Sequence, residues 1–223
     1  MLHIPRRIHG SGPSNATIMV VGSQPGYEEE RSGRVFAGRT GEELDRFLDG
    51  DTLPARDDVF LTNLHREYRG KDDVYTTADL HLDEQDLLRE LHMVHPALVV
   101  PMGRAATRWF LGDVDLDGVQ GIAWELNICY ACAKHGRKVL ATSSKDERGC
   151  SSVSIVRSGN RAATICPICS GDLWSTVAFP TTHIAAAFHN SDMAAYVVAG
   201  FAALAAYLDG KAEPRVLFDD PYP

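Results

Sequence analysis

Residues 18–41 bring a glycine turn, a run of carboxylates and one aromatic ring together in a short stretch of sequence. The apolar run Ile18–Val21 leads into the turn Gly22-Ser23-Gln24-Pro25-Gly26, the acids Glu28-Glu29-Glu30 follow, and Phe36 stands in a glycine-spaced loop. Turns at the ends of strands place ligands at the carboxyl edge of an open α/β sheet. Backbone amides, carboxylates and a stacking ring together predict a pocket for a flat, polar ring such as a nucleobase.

Two Cys-x-x-Cys pairs further along the chain indicate a metal site. They are Cys129-Tyr-Ala-Cys132 and Cys166-Pro-Ile-Cys169, and two such turns can present four thiolates to one tetrahedral zinc ion. We therefore expect a structural Zn²⁺ held by Cys129, Cys132, Cys166 and Cys169. Two disulfides or redox dithiols are the alternative, which a reducing cytoplasm disfavours.

The segment that holds these pairs differs in charge from the rest of the chain. From Cys129 to Asp172 there are seven Lys or Arg residues and three acids, whereas the whole chain of 223 residues has a formal net charge of −8. A shift in composition of this kind often marks a separate module. We predict a single domain over residues 1–223 that carries a zinc-ribbon-like insertion at residues 127–172.

The remaining sequence alternates between strand and helix patterns. Short, β-branched apolar runs predict strands covered on both faces, at Thr17–Val21, Asp58–Thr62, Ala97–Pro101 and Ser175–Phe179. Helical spacing of apolar residues occurs at 41–48, 83–95, 104–111 and 192–208. This alternation predicts an α/β fold, a three-layer αβα sandwich around a four-stranded parallel sheet.

Composition and charge argue against several classes of protein. A net charge of −8 argues against a protein that coats nucleic acid without specificity. No apolar run reaches the roughly 20 residues of a membrane span, and the first residues lack the apolar stretch of a secretory signal. We expect a cytoplasmic, monomeric protein without a membrane partner.

The motifs together resemble those of the uracil-DNA glycosylase superfamily, most closely its family 4 and family 5 branch. That branch carries Gly-Glu-x-Pro-Gly, then acids, then Gly-x-Pro-Phe-x-Gly-x-x-Gly, which is similar to residues 22–26 and 33–41 here. Thr62-Asn63 is similar to the Thr-Asn after the family's second strand, and residues 96–106 are similar to its third-strand pattern. Thr182-His183-Ile184 stands where the family has His-Pro-Ser.

Three departures from the family pattern bear on function. The branch usually binds an iron–sulfur cluster through cysteines near the N-terminus and after strand two. This chain has no cysteine at either place, so we expect no such cluster. Ser23 replaces the glutamate of the first turn, which is the usual water-activating group, and Ile184 replaces the proline of the loop that intercalates into DNA.

The resemblance implies an enzyme that flips a nucleotide out of DNA, because the N-glycosidic bond is out of reach inside the stack. Phe36 would stack on the flipped base, Asn63 would pair with its edge, and His183 would donate to its O2. Glu29 and Glu30 are candidates for activating water or stabilising the sugar cation, and Gln24 for holding the water or the base. The turn supplies the other base-pocket residues, which are Gly22, Ser23, Pro25 and Gly26.

Each of these assignments has a structural alternative. Phe36 could be a core aromatic, Asn63 a turn former, His183 a structural histidine, and the acids a solvated face. Contacts to DNA are expected from basic side chains around the motif and in the insertion, and from a histidine that could fill the gap in the stack. These residues are Arg31, Arg34, Arg39, Lys134, Arg137, Lys138 and His189.

The leading hypothesis is a DNA glycosylase that removes uracil or a modified pyrimidine from DNA and leaves an abasic site. A glycosylase for hypermodified bases of viral DNA, acting in defence, is one alternative. A noncatalytic DNA-binding module on the same fold is another. A nucleotide hydrolase is disfavoured because the glycine turn lacks a Gly-Lys-Thr/Ser sequence.

Overall fold

The computed structural model describes residues 6–69, 76–129 and 173–211. Within these ranges the strands form one sheet in the order β2-β1-β3-β5-β4. The strands are β1 (Ile18–Gly22), β2 (Phe60–Asn63), β3 (Leu98–Pro101), β4 (Trp124–Cys129) and β5 (Leu173–Ala178). Strand β1 pairs in parallel with β2 and β3, and β3 pairs in parallel with β5.

The prediction of four strands is wrong, because the described chain contains a fifth. Strand β4 runs antiparallel to β5 at the edge of the sheet. Its residues alternate, with Leu126 and Ile128 buried and Glu125 exposed, as in a strand that has only one covered face. Cys129 pairs with Leu173 in the register of β4 and β5, so the two residues that flank 130–172 are partners in the sheet.

The predicted zinc ligands fall almost entirely outside the described residues. Cys132, Cys166, Cys169 and the side chain of Cys129 are not described, and neither are Lys134, Arg137 and Lys138. The predicted start of the insertion, at residue 127, falls inside β4. The zinc site and the zinc-ribbon-like module therefore stay predictions.

Helices cover both faces of the sheet. They are α1 (Tyr27–Ser32), α2 (Arg39–Phe47), α3 (Thr77–Val94), α4 (Arg104–Leu111), α5 (Leu116–Val119) and α6 (Ser191–Leu208). Helix α3 begins earlier than predicted because Thr76 and Asp79 form a capping box: Thr76 Oγ1 accepts from Asp79 N at 3.2 Å and Asp79 Oδ2 accepts from Thr76 N at 2.9 Å.

Two apolar clusters confirm the three-layer sandwich. On one face of the sheet, Met19, Val21 and Val99 pack with α3 and α4. On the other face, Ile18, Val20 and Val100 pack with α2, α6 and the loop that carries Phe36. The alternation of side chains along β1 thus supplies both halves of the core.

Helix α6 is, within the described ranges, long and apolar enough by length and composition to cross a membrane. Core helices of globular proteins meet the same test. Val197, Phe201 and Leu204 of α6 are buried in the second cluster, and Phe201 stacks on Phe47 of α2 with ring centroids 4.2 Å apart. These contacts make α6 part of the sandwich.

Candidate base-binding site

The predicted site residues gather at the carboxyl edge of the parallel strands. Gly22 ends β1, Asn63 ends β2, Gly103 follows β3, and His183 follows β5. These strands are neighbours in the sheet, so the loops that leave them share one edge. This is the edge at which open α/β sheets bind ligands.

Gly22 is the point where the Asn63 amide and the Phe36 ring meet. A Cβ at this position would lie 2.3 Å from Asn63 Oδ1 and 2.8 Å from Phe36 Cζ. Only glycine allows both side chains to approach the end of β1 so closely. The structure therefore brings Gly22, Phe36 and Asn63 together, with Phe36 only 3% exposed in the second apolar cluster. That they form a base pocket stays a prediction.

The Asn63 side chain is buried and its amide nitrogen lacks a protein partner among the described residues. The residue is 1% exposed, and Nδ2 makes no hydrogen bond within that part of the chain. A buried donor without a partner costs about 1–3 kcal/mol. A turn-forming Asn would bond its own backbone, whereas this amide is left ready for a ligand.

Phe36 has a backbone conformation that needs support from its neighbours. Its φ is +50°, in the left-handed region that non-glycine residues rarely adopt. Strain of this kind costs on the order of 1–3 kcal/mol and clusters at functional sites. The Arg56 Nη2 donates to the carbonyls of Val35 and Phe36, both at 3.1 Å, and thereby braces the loop.

Glu29 ties the two ends of the motif together. Its carboxylate accepts from the backbone N–H of Gly26 and, at 3.1 Å, from that of Phe36. The residue is 7% exposed. Burial raises the pKa of this carboxyl, although the two backbone hydrogen bonds act in the opposite direction. Both oxygens are thus engaged in holding the glycine turn and the Phe36 loop in place.

The other residues of the turn are placed around this core of the site. Ser23 is half-buried and its carbonyl accepts from His65 N at 2.9 Å. Gln24 is exposed and its Nε2 donates to the Arg69 carbonyl at 3.3 Å, while Pro25 is buried. Glu30 is half-buried on α1.

His183 is held as a neutral donor. Its Nδ1 accepts from Ala185 N at 3.2 Å, which leaves the proton of the neutral ring on Nε2. Burial lowers the pKa of His183 to about 4. Gly103 makes room for the residue, since a Cβ at 103 would lie 3.0 Å from His183 Cβ. The Nε2–H can therefore donate a hydrogen bond at neutral pH.

The predicted DNA-contacting residues are distributed unevenly. Arg39 lies over the Phe188 ring, 4.0 Å from its centroid, and so connects α2 with the 3₁₀ turn that follows His183. Arg31 pairs with Glu28 at 2.8 Å, and His189 is exposed. Arg34 is exposed and lines a groove of about 830 Å³ beside the N-terminal segment. Among the residues of this set that the structure describes, Arg39 is the one that joins the two site loops.

A buried ion pair behind Asn63 was not foreseen from the sequence. Arg66, fully buried, donates to Glu90 at 3.0 and 2.8 Å and to Thr62 Oγ1 at 2.5 Å. A signal was present, because Asp83, Asp86 and Glu90 are spaced by three and four residues and so share one helix face with Leu87. Acids on a core-facing stripe need buried cationic partners.

The sequence matches a known protein family over most of its length. The sequence model of the family described as the Uracil DNA glycosylase superfamily matches residues 9–205. The chain belongs to the uracil-DNA glycosylase superfamily. The matched range contains the whole sheet and every residue of the site described above.

Curated relatives within the superfamily are described as type-4 uracil-DNA glycosylases. The protein of Sulfurisphaera tokodaii is 30% identical over 112 residues, which are 48% of this chain and 49% of the relative. That of Saccharolobus solfataricus is 27% identical over 133 residues, 60% of this chain and 61% of the relative. That of Archaeoglobus fulgidus is 29% identical over 110 residues, which are 49% of this chain and 55% of the relative. The chain thus spans about half to three fifths of the relatives it matches.

Proposed function

We propose that this protein is a uracil-DNA glycosylase, which hydrolyses the N-glycosidic bond of a flipped uracil in DNA and leaves an abasic site. The observation that carries the proposal is the buried Asn63 amide beside Phe36 and Gly22, with Nδ2 unpaired in the described chain. The names of the curated relatives support the same substrate.

The amide of Asn63 suits the edge of uracil. Uracil presents an N–H next to a carbonyl, so Oδ1 can accept from the base N3–H while Nδ2 donates to its O4. Cytosine presents an amino group and an unprotonated ring nitrogen at these places, and the same amide orientation would then face two mismatched groups. Phe36 would stack on the face of the base.

His183 would assist departure of the base. As the bond to C1′ breaks, negative charge develops on the base, and the Nε2–H of a neutral His183 can donate to O2. Donors that are preset toward developing charge contribute roughly 3–4 kcal/mol each. Water then adds to C1′ and loses a proton, the released base takes up a proton, and the sugar keeps a hydroxyl at C1′.

The residue at the position of the family's water-activating carboxylate differs in this chain. Ser23 offers a hydroxyl where the resemblance expects a carboxylate, and Glu29 is engaged by two backbone amides. We propose that Glu29 positions the pocket and that Gln24 or Glu30 orients the water. Stabilisation of the leaving base would then carry most of the rate acceleration.

Ser23 also keeps a second substrate class open. A serine is smaller than a glutamate, so the pocket would have more room beside the base, and a modified or hypermodified pyrimidine is the alternative substrate. A noncatalytic DNA-binding module remains the alternative from another class, because the usual water-activating carboxylate is missing.

DNA is the proposed macromolecular substrate. The phosphates would be contacted by Arg39 between the site loops, by Arg31, Arg34 and His189, and by Lys134, Arg137 and Lys138 of the insertion. We further propose a structural zinc ion held by Cys129, Cys132, Cys166 and Cys169, a cytoplasmic location and a monomeric state. Elemental analysis of the purified protein tests the zinc, with one ion per chain expected and loss of it expected on Cys166→Ser.

The function is tested by an excision panel. Single- and double-stranded DNA containing uracil, thymine, cytosine or a modified pyrimidine is incubated with the protein and then treated with alkali. Strand breaks at uracil support the proposal, breaks at the modified base alone support the alternative substrate, and binding without breaks supports the noncatalytic module.

A further inference from the structure

The place that the family resemblance gives to an iron–sulfur cluster is occupied here by charged side chains. The resemblance puts cluster cysteines near the N-terminus and after strand two, and all five cysteines of this chain stand at position 129 or later. Near the N-terminus and after β2 the chain has Arg7 and Glu67, whose Nη1 and Oε1 lie 3.3 Å apart. A guanidinium between carboxylates is not a donor set for a cluster, which thiolates hold.

Arg7 joins three segments of the chain. Its Nη2 donates to Asp83 Oδ1 and to Asp86 Oδ2, both at 2.8 Å, while Nη1 reaches Glu67. Asp83 and Asp86 belong to α3, and Glu67 to the loop after β2. The side chain of Asp83 is 2% exposed. Burial opposes ionisation of Asp86, but the hydrogen bond from Arg7 and the charges of Arg66, Arg7 and Arg89 lower its pKa overall.

Further contacts of the same network involve the residues before and after Asn63 in the sequence. His65 Nδ1 lies 3.2 Å from Asp83 Oδ2, and the buried Arg66 is bidentate to Glu90. Thr62 Oγ1 donates to Glu90 Oε2 at 2.6 Å, and Gly10 N donates to Glu90 Oε1 at 2.7 Å. The residues on both sides of Asn63 are thus fixed through α3 and the N-terminal segment.

The network holds residues 62–66, at the end of β2, against the glycine turn 22–26. Leu64 N donates to the Gly22 carbonyl at 2.8 Å, and His65 N donates to the Ser23 carbonyl at 2.9 Å. These two bonds set the distance between the amide of Asn63 and the turn that ends β1. A shift of residues 64–66 would therefore move Asn63 relative to Phe36.

We propose that the Arg7 network takes the structural place of the cluster and positions Asn63 for base recognition. Arg7 is a positioning residue, since it acts on Asn63 through Asp83 and His65. The catalytic part of this proposal rests on the proposed function, whereas the structural part stands without it.

The structural part is tested by metal content and hydrogen exchange on the full chain. Protein produced with ample iron and purified without oxygen is expected to contain no stoichiometric iron and no visible cluster absorption. Arg7→Gln is expected to speed exchange of the Leu64 and His65 amides about tenfold, and Arg7→Lys less. The control Arg46→Gln, which removes the exposed pair with Glu43 on α2, should leave these amides unchanged. Stoichiometric iron that persists in Cys166→Ser, in which the four-thiolate site is broken, or unchanged exchange in Arg7→Gln, would overturn the proposal.

The positioning role is tested by a double-mutant cycle on uracil excision. Arg7→Gln is expected to lower kcat about 10- to 100-fold with KM nearly unchanged, and Arg7→Lys to restore part of it. If Arg7 acts through Asn63, adding Arg7→Gln to Asn63→Ala causes little further loss. Losses that multiply in the double variant would overturn this role. Absence of excision by the wild type would refute the proposed function, and the exchange data would still decide the structural part.

Discussion

The Oδ1 of Asn63 lies only 2.3 Å from the position that a Cβ on Gly22 would occupy. The ends of β1 and β2 are paired in register at these two residues, so the amide sits directly over the glycine turn. The proposed base recognition and the shape of the turn therefore depend on the same point of the sheet.

Gly22→Ala should damage both stability and the site. The added methyl would meet Asn63 Oδ1 and Phe36 Cζ, which are buried and cannot move away freely. Overpacking of this kind costs about 1–3 kcal/mol in the free energy of unfolding, measured in urea. The matched control is Gly118→Ala in α5, where a Cβ meets nothing within 4 Å. Equal stability and excision by Gly22→Ala and the wild type would contradict the close contact.

Glu29→Ala should loosen the Phe36 loop. It leaves the N–H groups of Gly26 and Phe36 without their acceptor, at a cost of about 1–3 kcal/mol, and it removes support from the strained backbone of Phe36. The midpoint temperature of thermal unfolding and the rate of excision are both expected to fall. Glu42→Gln, on the exposed face of α2, is the control. A variant with full activity would show that Glu29 does not hold the pocket.

Glu29 should also contribute to the pH dependence of stability. Its pKa is raised in the folded protein, so its contribution to stability is fully present below the ordinary value of 4.5 and is lost as pH rises through the folded pKa. Glu29→Gln lacks this titration. The difference in unfolding free energy between variant and wild type is therefore expected to shift in favour of the variant as pH rises above 4.5, the ordinary value. A difference independent of pH would argue against a raised pKa.

His183 should remain a neutral donor throughout the usual range of assays. With its pKa lowered to about 4, single-turnover excision should show no step from His183 between about pH 5 and pH 8. The neutral form is favoured by folding, so the contribution of His183 to stability is present above 6.5, the ordinary value, and is lost as pH falls toward 4. A step near pH 6.5 that disappears in His183→Gln would contradict this.

Several features of the site could be predicted from local sequence alone. The apolar run before Gly22 and the glycines around Phe36 indicate a strand end and a loop by themselves, and the structure places Phe36 and Asn63 together there. The start of α3 was predicted too late because its apolar spacing begins at Leu87, whereas its capping box lies at Thr76 and Asp79.

Other features depend on partners far apart in the chain. The spacing of Asp83 and Glu90 indicates a core-facing acidic stripe, but their cationic partners Arg7 and Arg66 can be assigned only once the fold brings them together. Strand β4 was not predicted because its polar residues alternate with apolar ones, a weaker signal than the continuous apolar runs of the parallel strands. Its pairing partner, β5, lies beyond the whole segment 130–172.

The most direct test of the proposed base recognition compares uracil release by the wild type and by Asn63→Ala in single-turnover assays, with cytosine-containing DNA as the control. The wild type is expected to release uracil but not cytosine, and Asn63→Ala, whose fold should be intact, to release uracil on the order of 100-fold more slowly. Failure of the wild type to release uracil, or release at the wild-type rate by Asn63→Ala, would contradict it.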